Sequence, residues 1–195
     1  FEIFALLLQL TLVLILFVIV PFVWYKMVNK FSLSQMIAAI RLKKERIDMA
    51  FVYGVLTAAV MLGIIIGIGI ILTFLGFDLE NAGNIQDIEQ LFSIPAMLIL
   101  ISIQPVAEEL FYRGFLLEKL EKISSAPIAI GVTAVLFGLA HLTTGNLYPA
   151  LLTGIAGAVL AVLVIKTKNL TAAIIAHVLF NVASFALYML GQSIV

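Results

Sequence analysis

Two adjacent acids, Glu108 and Glu109, interrupt one of the most apolar stretches of the chain, Ile94 to Leu117. A carboxylate at bilayer depth costs a few kcal/mol even on lenient insertion scales, so such groups pair, face a cavity or do chemistry. Arg113 follows Glu109 at i+4, the favourable order for an ion pair along one helical face. Pairing would make both charges tolerable in low dielectric. Successive helical residues lie about 100° apart, so Glu108 points elsewhere and is left available as a general base or acid. The structural alternative is that both acids join an interhelical polar network. Pro105, three residues earlier, frees a backbone carbonyl and is expected to bend the helix beside Glu108.

Further polar groups arrive from other apolar segments. His141 lies one turn after Phe137, and His177 and Asn181 are i and i+4, projecting from one face. These are the only two histidines in the chain. At 1.5 Å per residue, Glu108 lies roughly 20 Å from Glu121, His141 about 22 Å from Ala126, and His177 and Asn181 about 14 and 20 Å from Lys168. Groups from three helices thus share a depth, and one water-filled cavity among them is expected. Other hydrolytic chemistries lack their residues. There is no cysteine, no His-Glu-x-x-His and no Gly-x-Ser-x-Gly. The three aspartates, Asp48, Asp78 and Asp87, lie in or beside loops, which excludes an intramembrane aspartyl dyad. A carboxylate, two imidazoles and an amide remain.

The elements that must hold these groups follow from hydropathy. Hydrophobic residues make up 64% of the 195, and charged residues 11%, against about 25% in soluble domains. Six spanning helices are predicted, at 3–25, 50–75, 94–121, 126–142, 147–165 and 168–190, as an all-α polytopic transmembrane bundle of one domain, 1–195, with a motif core at 94–190. Segments alternating at period two, as a membrane barrel needs, do not occur. The first segment ends in Trp24, Tyr25 and Lys26 and lacks a basic leader, so it reads as a span and not a signal peptide. Residue 1 is Phe, and the chain is read as a fragment or processed form.

With six crossings, every loop cation falls on one side: Lys26, Lys30, Arg41, Lys43, Lys44 and Arg46, then Lys119 and Lys122, then Lys166 and Lys168. The second loop instead carries Asp78, Glu80, Asp87 and Glu89. The basic side is expected to be cytoplasmic, which places both termini outside a cell membrane. Between Phe31 and Met49, Leu33, Met36, Ile37 and Ile40 share a rough face ahead of the basic residues, as in an interfacial helix or a solvated basic loop. Gly63 and Gly67 have the spacing of a close helix contact. Zero net charge gives no field that would gather nucleic acid, so no nucleic-acid partner is expected.

Glu108-Glu109-Leu-Phe-Tyr-Arg113, Phe137-Gly-Leu-Ala-His141 and His177-Val-Leu-Phe-Asn181 together resemble the three ordered motifs of the CAAX protease and bacteriocin-processing (CPBP, or Abi) family, Glu-Glu-x-x-x-Arg, Phe-x-x-x-His and His-x-x-x-Asn/Asp. The Asn at 181 is most similar to the branch of the Ras-converting CAAX prenyl endopeptidases and its prokaryotic homologues. The resemblance covers residues 108–181, and family members often have eight membrane helices where six are read here. It implies a glutamate-dependent intramembrane endopeptidase that removes the last three residues after a prenylated cysteine. By motif, Glu108 would activate water, His141 would position or share it, His177 and Asn181 would donate to the oxyanion, and Glu109 and Arg113 would support the site. The partners implied are the lipid bilayer and a prenylated protein or peptide.

Members have also been described as metalloproteases, and Glu108, His141 and His177 have the donor types for zinc. No acid lies near His177 in sequence to orient its second nitrogen, so a metal-free mechanism is expected. Two other readings compete with the endopeptidase. One is a proton-coupled transporter using the buried Glu/His cluster, which lacks the internal repeat such proteins carry. The other is a non-catalytic membrane scaffold of the same fold.

Overall fold

A computed structural model describes residues 1–42, 46–77, 91–142 and 147–192. Among the described residues the chain is helical without strands. Helix α1 spans Glu2–Met27, α2 Leu33–Ala39, α3 Ile47–Phe74, α4 Ile94–Ile123, α5 Ala126–Leu139, α6 Leu147–Thr167 and α7 Leu170–Gln192. Five of these, α1, α3, α4, α6 and α7, are long and apolar enough to cross a bilayer. Large apolar side chains such as Leu7, Phe22, Ile70, Val135 and Leu151 stand exposed around them. A water-facing surface rarely carries so many. This is a multi-pass helical membrane bundle.

The fourth predicted span, 126–142, is corrected. Helix α5 ends at Leu139 after 14 residues, about 21 Å at the helical rise, short of the roughly 30 Å hydrocarbon core. It nevertheless reverses the chain direction against α6. An added Cβ on Gly138 would meet the Ala150 carbonyl at 2.6 Å, and one on Gly154 the Ala134 carbonyl at 3.4 Å. That pairing order is antiparallel, and glycine lets the two backbones touch.

Helix α3 meets α7 along Ala50, Gly54, Ala58 and Met61, its buried stripe. A Cβ on Gly54 would fall 2.6 Å from Ile175. Gly63 lies about 180° around the helix from Gly54, and neither Gly63 nor Gly67 has any atom within 4 Å of an added Cβ. The contact expected of that pair is therefore absent among the described residues. The core gathers small and aliphatic residues of α4, α6 and α7: Leu117, Leu160, Ala161, Val164, Ala173 and Ala176.

One end of the bundle is tied by charge. Arg41 pairs with Glu121 at 2.5 Å, and Lys168 reaches the same carboxylate at 3.4 Å. Glu118 takes Lys119 at 3.2 Å, Lys122 and the Tyr25 hydroxyl at 3.3 Å. The Leu170 N–H donates to the Arg41 carbonyl at 2.9 Å. The first, third and fifth connections thus meet at one end, as their shared cations require. Helix α2 starts with Ser32 and Gln35 capping each other's backbone. It turns Met36 inward while Leu33 and Ile37 stay exposed, so its apolar residues serve two faces. Lys43, Lys44 and the acids of the second loop lie outside the described residues.

Candidate functional site

Helix α4 carries the acids, and its geometry changes where they sit. Regular α-helix ends at Glu109, and Leu110–Leu116 forms a wider π-helical turn. Such turns frequently occur at functional sites. Nothing in the residue types from Leu110 to Leu116 marks this widening. Glu108, Glu109 and Arg113 are all buried, the last two completely. The predicted ion pair forms, with Arg113 Nη1 donating to Glu109 Oε1 at 2.6 Å. Arg113 Nη2 donates to the Gly157 carbonyl of α6 at 3.0 Å. Its guanidinium also covers the Phe137 ring at 4.3 Å. An added Cβ on Gly157 would meet Phe137 Cδ1 at 2.9 Å and Arg113 Nη2 at 3.0 Å. Only a residue without a side chain lets the arginine reach that carbonyl.

Helix α7 brings His177 to the acids. Its Nδ1 lies 2.9 Å from Glu109 Oε1, and its Nε2 lies 3.9 Å from Glu108 Oε2. An ionised carboxylate only accepts, so Nδ1–H donates to Glu109. Nε2 is then an acceptor in the neutral ring and a donor in the imidazolium. In the latter state Glu108, Glu109, Arg113 and His177 sum to zero charge.

Helix α5 ends near His141, which explains its spacing from Phe137. The Phe137 carbonyl accepts from His141 Nδ1 at 2.8 Å, using an acceptor in the last turn. The phenyl ring of Phe137 lies 4.7 Å from the His141 ring and 5.7 Å from the His177 ring, centre to centre. Both imidazoles therefore border one phenyl group, each with Nδ1 engaged and Nε2 left over. Asn181 is half-buried one turn after His177 and makes no side-chain hydrogen bond among the described residues. The structure thus joins Glu108, Glu109, Arg113 and His177 directly and brings His141 to them through Phe137. It gives Asn181 no bond to the cluster. The groove recorded along Ile66, Gly69, Ile70, Thr73 and Phe74 of α3 includes none of these residues.

Sequence reasoning missed Gln104. Its amide donates to Glu108 Oε1 at 2.7 Å, and its own oxygen accepts from Gln9 of α1 at 3.2 Å. The i, i+4 spacing of Gln104 and Glu108 was the available signal. The objection that no acid orients His177 is also corrected, because Glu109 does so from 68 positions away. That restores one condition for a metal ligand. The donor set still fails another. Among the described residues no three His, Asp or Glu side chains are grouped as ligands, whereas a catalytic zinc takes three.

No curated protein and no solved structure matches the chain. Residues 90–183 match the family model described as Type II CAAX prenyl endopeptidase Rce1-like. That segment takes in α4, α5, α6, most of α7 and all seven motif residues. Over these residues the chain is similar to the Rce1-like type II CAAX prenyl endopeptidases.

Proposed function

We propose that this protein is an intramembrane endopeptidase in which Glu108 activates water to release the C-terminal tripeptide of a prenylated CAAX-type protein or peptide. The observation that carries the reading is the 3.9 Å separation of Glu108 Oε2 and His177 Nε2 in a buried site. A water held at about 2.8 Å from each would subtend an angle of roughly 90°, a workable hydrogen-bond geometry. Glu108 takes a proton from that water, and the oxygen adds to the scissile carbonyl carbon. His141, with Nδ1–H engaged, offers Nε2 to the water's second proton. As the oxygen adds, the imidazolium of His177 turns its one free donor, Nε2–H, from the water to the oxyanion, to which Asn181 also donates. The C–N bond then breaks, and the proton on Glu108 passes to the leaving amine. Glu109 and Arg113 keep His177 in place.

No step runs through a metal. The substrate class comes from the family match, and its prenyl chain suits a site reached from lipid. We place the opening at the basic, cytoplasmic end of a cell-membrane protein with outward termini, on the shared charge of the first, third and fifth connections. The test is incubation of detergent-purified protein with a farnesylated CAAX peptide. Wild type should release the tripeptide, and Glu108→Ala should not, while keeping its thermal midpoint. Full cleavage by Glu108→Ala rejects the reading.

A further inference from the structure

We infer that Gln104, itself held by Gln9, is a positioning residue for Glu108. The inference rests on the proposed function for its consequence and on the hydrogen bonds for its existence. Gln104 Nε2 donates to Glu108 Oε1 at 2.7 Å, and Gln9 Nε2 donates to Gln104 Oε1 at 3.2 Å. With Glu108 ionised, this orientation is forced. The carboxylate only accepts, so Gln104 must present its NH2 group to it and its carbonyl to Gln9, which must then donate. One carboxylate oxygen is thereby occupied, and the other, Oε2, is the one that faces His177 at 3.9 Å. Without the amide, the carboxylate could rotate about its last torsion, whose preferences are broad. Oε2 would no longer be committed to the imidazole side.

Gln9 sits on α1, outside the matched residues 90–183. The N-terminal helix therefore reaches the reacting carboxylate through one intermediary, and a helix that is otherwise mostly lipid-exposed acquires a part in the chemistry. Both glutamines are half-buried. Replacing both members of a hydrogen-bonded pair by apolar groups of similar shape is close to neutral for stability, whereas replacing one leaves the other unmatched and costs stability. A purely structural link and a positioning link therefore give different results.

The experiment uses Gln104→Leu, Gln9→Leu and the double variant, assayed on the farnesylated peptide. Gln104→Leu should lower kcat by about 10- to 100-fold with KM within about threefold, because geometry and not binding is lost. Gln9→Leu should lower it less, and the double variant should be no worse than Gln104→Leu, since Gln9 acts only through Gln104. Each single variant leaves a polar partner unmatched, so thermal midpoints should fall modestly, and by no more in the double variant than in Gln104→Leu. Unchanged kcat in Gln104→Leu, or kcat losses that add in the double variant, overturns the inference while leaving the proposed function standing. A second readout does not need turnover. The side-chain amide resonance of 15N-labelled Gln104, assigned by its loss in Gln104→Leu, should move in both Gln9→Leu and Glu108→Gln. A resonance that ignores both changes overturns the relay. An inactive wild type with a responsive resonance instead rejects the proposed function alone.

Discussion

Substituting Gly157 by alanine adds one methyl group where three elements of the site converge. The new Cβ would lie 2.9 Å from Phe137 Cδ1 and 3.0 Å from Arg113 Nη2. Carbon atoms rest at about 3.5–4.0 Å from one another, so the ring must retreat by about 0.6–1 Å. It has little room to do so. Tyr112 stands 5.0 Å from it, His141 4.7 Å and His177 5.7 Å, with the Arg113 guanidinium at 4.3 Å. Retreat moves the surface against which both imidazoles rest and loosens the Arg113 bond to the Gly157 carbonyl.

Overpacking of this kind costs about 1–3 kcal/mol. In a chain of this length that lowers the thermal midpoint by about 2–12 °C. A displacement near 1 Å among positioning groups costs about 100-fold in rate, so cleavage of the farnesylated peptide should fall by about 10- to 100-fold. Gly63→Ala and Gly67→Ala are the controls, since their added Cβ atoms meet nothing within 4 Å. Both should keep wild-type cleavage, with midpoints unchanged or raised by the helix preference of alanine. Wild-type turnover and stability in Gly157→Ala would refute the claim that this close approach sets the site.

Three further outcomes are expected. Glu109→Gln leaves the wholly buried Arg113 without its counter-charge, a loss of about 3–5 kcal/mol, whereas Glu108→Gln should fold normally and be inactive; equal thermal midpoints for the two would contradict the division of roles. Asn181→Ala should cut kcat by about 10²–10³ with little change in KM, and a pure KM effect would remove Asn181 from the oxyanion role. Dialysis against a strong zinc chelator should leave cleavage intact, and loss of activity restored by zinc would overturn the metal-free mechanism.

Much of this arrangement was legible in the chain because membrane helices declare themselves by length and hydropathy, and because short spacings fix faces. Glu109 and Arg113 at i+4, and the sorting of basic residues to three connections, needed nothing more. What hydropathy does not give is the rotation of one helix against another. That is why the spacing of Gly63 and Gly67 suggests a contact that belongs instead to Gly54 on the opposite side of α3. It is also why the partnership of His177 with Glu109, and the approach of Gln9 to Gln104, could not be read. Helix length failed at α5 for a different reason. The apolar run continues through His141, but the helix stops at Leu139, and the residues beyond it serve the site instead of the span.

The way each histidine is held argues for a division of chemistry between the helices. A neutral imidazole has one donor and one acceptor nitrogen, and a reaction needs to know which is which. Here that decision is made by groups with no other choice. The Phe137 carbonyl and the Glu109 carboxylate can only accept, so both rings are fixed with Nδ1 as donor. The two sites differ in the charge of that acceptor. A carboxylate holds the His177 ring through a charge-assisted bond, and a neutral carbonyl holds the His141 ring through an ordinary one. That difference in charge is the basis on which we assign His177 the donor's part toward a developing oxyanion and His141 the acceptor's part toward water. On this view Glu109 is required less as an anchor for Arg113 than as the charge that makes the two histidines unlike, and Arg113 in turn keeps that charge inside the membrane.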